Sequence, residues 1–409
     1  MPVNLLNKNI RLKNLFIAYL LYLLIFSIYY LFYKHSVSND SSISEWLINY
    51  KGGFTRRGLG GEIAIIISSL FNFSLRYSIF LIQSFLYITF FFFIYLYFKN
   101  LRLNWIQVFA LFCPLFLLYP VAEIEVLGRK DIVLILYFLL LIFFMNFKWS
   151  KNIINFMIIF ILPVVVLLWE QIVLFFPFIL SLLVISRNQK NFKDVFVKNF
   201  FLFLPAIITF FYLFFNPLSR NEHMLMCDYL VINFSEQCYM SAKLLVQNTI
   251  YFDTFWVVHE NANFSHYLRY ILIFLIGFGP LNLLLSQNSF SDKKNFISSH
   301  LSLKNFFFLL YSPIILLFIY GYDWGRWTYL MYSYGILLYF FLLKNNFITN
   351  KLNFSYPLFK YIKLNKKILI SAFLVFAFCW NPKTVITGDI ASFPIYRIPY
   401  KAVKFLNSF

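Results

Sequence analysis

Residues 50–62, YKGGFTRRGLGGE, gather five of the chain's 12 glycines around Arg56 and Arg57 and close on Glu62. Glycine lets backbone approach a ligand closely, and successive exposed N–H groups make an anion-binding concavity. The apolar run 63–71 follows at once; as a short helix it would aim its free N–H groups and positive dipole at the same place. Forked guanidinium charge suits phosphate oxygens. The stretch therefore reads as a holder for the phosphate or diphosphate of a lipid-linked substrate, with Arg56, Arg57 and Gly58 as ligands. The competing reading is a basic turn resting on lipid headgroups.

Two distant segments share this composition of glycine, arginine and acid. EIEVLGRKD places Glu123, Glu125, Arg129, Lys130 and Asp131 in nine positions, and GYDWGRW holds Asp323 and Arg326. Three residues apart, Asp323 and Arg326 share a helical face and can pair, with Trp324 and Trp327 as interface anchors. Glu170 stands with Gln171 between two apolar runs and needs a partner, for which an outer-loop arginine is the expectation. If the three segments line one cavity, Arg56, Arg57, Arg129 and Arg326 would neutralise a leaving diphosphate. Lys130 is a weaker phosphate ligand, since Asp131 beside it can pair. Glu62, Glu123 and Asp323 are the candidate proton acceptors. Each can equally be the counter-ion of a neighbouring arginine, which would leave it a poor base.

The elements that must position these residues are apolar. The 409-residue chain is 61% hydrophobic and 12% charged, which excludes an ordinary soluble domain. Windows of about 20 apolar residues recur along its whole length. The spacing predicts an all-α polytopic bundle of about eleven spans, at 15–33, 79–98, 105–120, 132–147, 153–169, 172–186, 200–215, 267–285, 306–320, 328–343 and 368–380. It forms a single membrane domain over 1–409, with outer loops at 34–76 and 216–266. Residues 63–71 are too short to cross and read as a re-entrant or interfacial helix. Gly277, Gly279 and Pro280 predict a kink in the eighth span, and 381–409 reads as a short polar and aromatic tail outside. The first apolar stretch is longer than a signal-peptide core and reads as a retained span.

The net charge of +19 would suggest nucleic acid in a soluble protein, but its distribution gives another account. With the N-terminus in the cytoplasm, the loops of that side hold 20 of the 35 basic residues and two of the 16 acidic ones, Asp194 and Asp292. The opposite face keeps 15 basic and 14 acidic residues. The surplus follows the positive-inside rule, so no nucleic-acid partner is implied, and a mixed-charge outer face suits polar substrates.

Cys227 and Cys238 share the second large outer loop and are expected to form a disulfide; Cys113 and Cys379 read as small buried hydrophobes. His259 beside Glu260 matches no metal-site spacing, so neither metal nor cofactor is expected. Neither a phosphate-binding P-loop nor a nucleophile elbow is present.

GGFTRRGLGGE and DWGRW, with the spans, the basic inner side and the large outer loops, resemble the O-antigen and related oligosaccharide-repeat polymerases of bacterial inner membranes. The resemblance is architectural and carries no diagnostic signature. It implies a metal-independent glycosyltransferase that polymerises undecaprenyl-diphosphate-linked repeat units on the periplasmic face. Its partners would be the lipid-linked oligosaccharide, membrane lipids and a chain-length regulator. The alternatives are a glycosyltransferase of the GT-C type with a polyprenyl-phosphate sugar donor, whose base would be Asp40, Glu45 or Glu62 in the first outer loop, and a flippase for lipid-linked oligosaccharides.

Overall fold

The computed structural model describes residues 10–37, 41–99, 101, 103–146, 150–238, 242, 245–246, 260–291, 295–349 and 366–406. Among these, five helices are long and apolar enough to cross a membrane: Asn14–Ser36, Leu75–Phe98, Lys151–Leu168, Asp194–Phe215 and Leu303–Tyr320. A sixth candidate is Phe264–Gly277 with Gly279–Gln287, bent by 47° where Gly279 and Pro280 were expected to break it. Six candidates therefore stand where the sequence suggested eleven.

Several of the other expected spans are shorter helices, among them Asp131–Phe144 and Glu170–Ser186. Helix Trp324–Lys344 is buried along nearly its whole length, as is the shorter Asp131–Phe144. Tyr334 stacks on Phe138 with ring centres 4.4 Å apart and donates to the Leu134 carbonyl at 2.9 Å. These two helices form the centre of the bundle. In the five long helices only 22% to 39% of each apolar window is buried, so their outward faces are what an apolar solvent would meet. Lys366–Phe378, the last expected span, is 13 residues long.

Span 105–120 is corrected. Helix Trp105–Leu111 stops at Phe112, and residues 114–118 run in turns before the short helix Tyr119–Ala122. Pro114 is the cause: it lacks an N–H and disfavours helical backbone at Cys113. Irregular backbone survives inside an apolar bundle only where protein covers it. Leu115 to Tyr119 are buried, and Tyr332 donates to the Ala110 carbonyl at 2.7 Å.

The tail is more structured than expected. Trp380–Pro382 pairs antiparallel with Ile390–Ser392, and helix Pro394–Leu406 lies back along the first long helix. Tyr22 donates to Ile395 at 2.8 Å, Tyr29 to Ala402 at 2.9 Å, and Tyr30 to the Ile398 carbonyl.

Candidate functional site

One end of the bundle carries the buried charge, and the stretch between the first two long helices builds it. Helix Ser41–Leu47 presents Glu45 and Trp46. Trp46 donates to the Gly128 carbonyl at 2.9 Å, and Gln83 of the second long helix donates to the same oxygen at 2.7 Å. Segment 123–131 is thereby pinned against the stretch between the first two long helices.

The glycine-rich stretch starts a helix earlier than the expected 63–71 and packs it closely. Helix Gly58–Phe71 begins at Gly58, because Arg57 takes a left-handed conformation with φ of 65° and caps it. Gly58, Gly60 and Gly61 thus sit in the first helical turn, not in an open loop. A side chain at Gly61 would collide with the backbone carbonyls of Ile48 and Trp46, one at Gly58 with the Tyr50 ring, and one at Gly60 would crowd Lys130 and Trp46. The glycines let this helix lie directly on the chain at 46–50.

The three glycine, arginine and acid segments do meet. Arg326 grips Asp131 with two nitrogens, its Nη2 to Oδ1 at 3.0 Å, and its Nη1 donates to Asp323 at 3.0 Å. Arg57 donates through Nε to both oxygens of Glu170, at 2.9 and 3.0 Å, supplying the arginine partner Glu170 was expected to need. Arg129 pairs with Glu45. Lys130 donates to the Arg57 carbonyl at 2.7 Å. Trp169 is the hub between them, with Arg57 over its ring at 4.2 Å and Arg326 at 4.8 Å. Cation–π contact of this kind is strongest where water is excluded, and Trp169 is buried. Arg56 is half-buried and close enough to Glu170 to act on its charge.

Depth orders these groups. Glu45, Lys130, Asp131 and Arg326 are at most 2% exposed, whereas the side chains of Arg57, Arg129 and Glu170 keep 12% to 14% and form the rim. Burial opposes the charge on Glu45, but Arg129, Arg326 and Arg57, joined by Lys130 when protonated, outweigh it and hold its carboxyl below the usual range. Its Oε2 is nonetheless buried with no hydrogen-bond partner among the described residues. Burial drives Lys130 the other way, down to about 7, with Arg57 adding to the shift and Glu45 and Glu170 opposing it.

The three expected proton acceptors fare differently. Glu123 accepts from Asn381 at 2.9 Å and Arg397 at 3.0 Å, with Lys383 at 3.4 Å, so the tail secures it. Glu62 pairs with Lys51 at 2.9 Å and accepts from the Tyr50 amide at 3.3 Å, fastening the turn below it. Asp323 is half-exposed and serves Arg326. All three act as counter-ions, and Glu45, one of the three first-loop acids named for the GT-C alternative, pairs with Arg129. Of the two tryptophans expected at a lipid interface, Trp327 is buried under Arg326 at 4.8 Å, whereas Trp324 is half-buried and lies edge-on to Tyr270 at 5.3 Å.

No protein-family model, curated protein or solved structure matches the chain. Cys227 and Cys238 are joined, with their sulfurs 2.08 Å apart, closing the cover over this end. Arg76 fixes the same segment through Glu236, its Nη2 at 2.8 Å. Asp40, His259 and Asp292 lie outside the described residues.

Proposed function

We propose that this protein is a membrane glycosyltransferase that takes sugar or oligosaccharide from a polyprenyl-linked phosphate or diphosphate, with the buried charge cluster as its site. One observation carries the reading: cations and carboxylates from four distant segments converge at one end of an apolar helical bundle, around a carboxylate oxygen with no hydrogen-bond partner among the described residues. Burying ions is costly, and several together in one place are more than a scaffold of apolar helices needs. The chemistry suits the donor. Rim residues Arg57 and Arg129, with Arg56, meet phosphate oxygens first, exchanging part of their hold on Glu170 and Glu45 for the substrate. Charge building on the leaving phosphate is then stabilised by guanidiniums already in place, with Arg326 below them. The free oxygen of Glu45 accepts a hydrogen bond from a neighbouring, non-reacting hydroxyl of the incoming sugar and orients it.

Repeat-unit polymerisation is the expected outcome of such a site when donor and acceptor are both lipid-linked oligosaccharides. The second reading, a GT-C type enzyme that adds single sugars, is supported by the position of Glu45 in the cluster between the first two long helices, where it orients the acceptor. The test uses purified protein in proteoliposomes with a polyprenyl-diphosphate-linked oligosaccharide supplied at the charged end. A ladder of lengthened glycans supports polymerisation. Single additions from a polyprenyl-phosphate sugar support the second reading. Movement of labelled lipid between leaflets without any new glycosidic bond would sink both and make the cluster a transport gate.

A further inference from the structure

Lys130 stands apart within the cluster. Arg57, Arg129 and Arg326 each hold a carboxylate, whereas Lys130, with no exposed surface, pairs with none among the described residues. Its Nζ makes one hydrogen bond, to the neutral carbonyl of Arg57 at 2.7 Å, and lies 5.3 Å from the centre of the Trp46 ring. Gly60 leaves the room it occupies. A buried ammonium without a counter-ion is strongly disfavoured, and lysine, unlike arginine, escapes by giving up its proton. The charged groups around it divide: Glu45 and Glu170 favour the ammonium and Arg57 opposes it, while Arg129 and Asp131 flank it in sequence, each engaged elsewhere. Burial decides, and the amine titrates at about 7.

We propose that Lys130 is the proton acceptor of the site and not a phosphate ligand, a role that rests on the glycosyl-transfer reading. The carboxylates are unfit for it, because neighbouring cations hold Glu45 ionised and weakly basic, and Glu62, Glu123 and Asp323 are engaged as counter-ions. In the step, the acceptor hydroxyl proton passes to the lone pair of Nζ, giving the ammonium. The hydroxyl oxygen's electron pair forms the bond to the anomeric carbon. The bond from that carbon to the phosphate oxygen breaks, and its pair leaves with the phosphate. The ammonium, now beside a more negative phosphate, returns the proton to it, so atoms and charge balance.

Two readouts on wild type, Lys130→Met and Lys130→Arg test this separately from the reading beneath it. The first needs no substrate. An unfolded lysine keeps its proton to about pH 10, so with a folded value of about 7 unfolding takes up a proton between those limits, and stability rises with pH across that window. The thermal midpoint of wild type should climb from about pH 7 to 9 relative to that of Lys130→Met. Parallel curves would overturn the neutral amine. The second is transfer from a polyprenyl-diphosphate-linked oligosaccharide. Wild-type rate should rise about tenfold per pH unit below 7 and then level, while Lys130→Arg binds the donor yet loses about 99% of turnover. Wild-type turnover in Lys130→Arg would overturn the role. Proton-linked stability with no transfer by wild type at any pH would instead bring down the glycosyl-transfer reading, and this role with it.

Discussion

The two ends of this bundle handle polar groups in opposite ways. At the end carrying Glu45, arginines are matched to carboxylates and drawn under the surface, as in Arg326 with Asp131. At the other end the described residues hold a single ion pair, Lys198 with Asp194 at 2.6 Å, and the lysine there is exposed. Neutral amides close that end: Arg187 donates to Asn155 at 2.7 Å, Asn199 to Gln189 at 2.7 Å, and Asn288 to Tyr339 at 3.2 Å. The same helices pass through both ends, so the fold does not demand the buried charge. Amide caps would serve stability as well at lower desolvation cost, and the ionic end is the one that invites a functional explanation.

Breaking the deepest ion pair should have the largest effect on stability. Arg326→Met leaves Asp131 buried without its cation and should destabilise the protein by about 3–5 kcal/mol, read as a fall in unfolding midpoint in detergent. Adding Asp131→Asn should restore much of that loss. Removing the clasp over the same end is the next step. Cys227→Ser with Cys238→Ser should lower stability by about 2–3 kcal/mol, measured in the same way. At the other end Lys190→Gln should change stability by no more than about 0.5 kcal/mol. A loss there as large as at Arg326 would erase the contrast between the two ends.

Much of this contrast was legible in the sequence. Apolar windows gave the long helices, Gly279 with Pro280 gave the bend, and the sorting of lysine and arginine separated the two ends. The convergence of the 50–62, 123–131 and 321–327 segments and the arginine partner of Glu170 also followed from residue types alone. Other features depended on contacts between distant positions. Glycine reads as conformational freedom in one dimension, whereas Gly61 is needed because another stretch of backbone lies against it. Trp169 looks ordinary until Arg57 and Arg326 arrive from elsewhere in the chain. Hydropathy also cannot distinguish a helix facing lipid from one such as Asp131–Phe144, 14 residues long and buried among its neighbours. The tail looked featureless because the partners of its arginine, Glu123 and the Ala122 carbonyl, stand far upstream.

The central claim is that chemistry occurs at the ionic end. It is tested most directly by measuring transfer from a polyprenyl-diphosphate-linked oligosaccharide in proteoliposomes for Glu45→Gln and Arg57→Lys, beside Lys190→Gln and Lys193→Gln. All four proteins are first matched for folding by their unfolding midpoints. The account predicts losses of about 100-fold or more for the first two and less than about twofold for the lysine variants. Comparable losses at both ends, or full turnover in Glu45→Gln and Arg57→Lys, would contradict it.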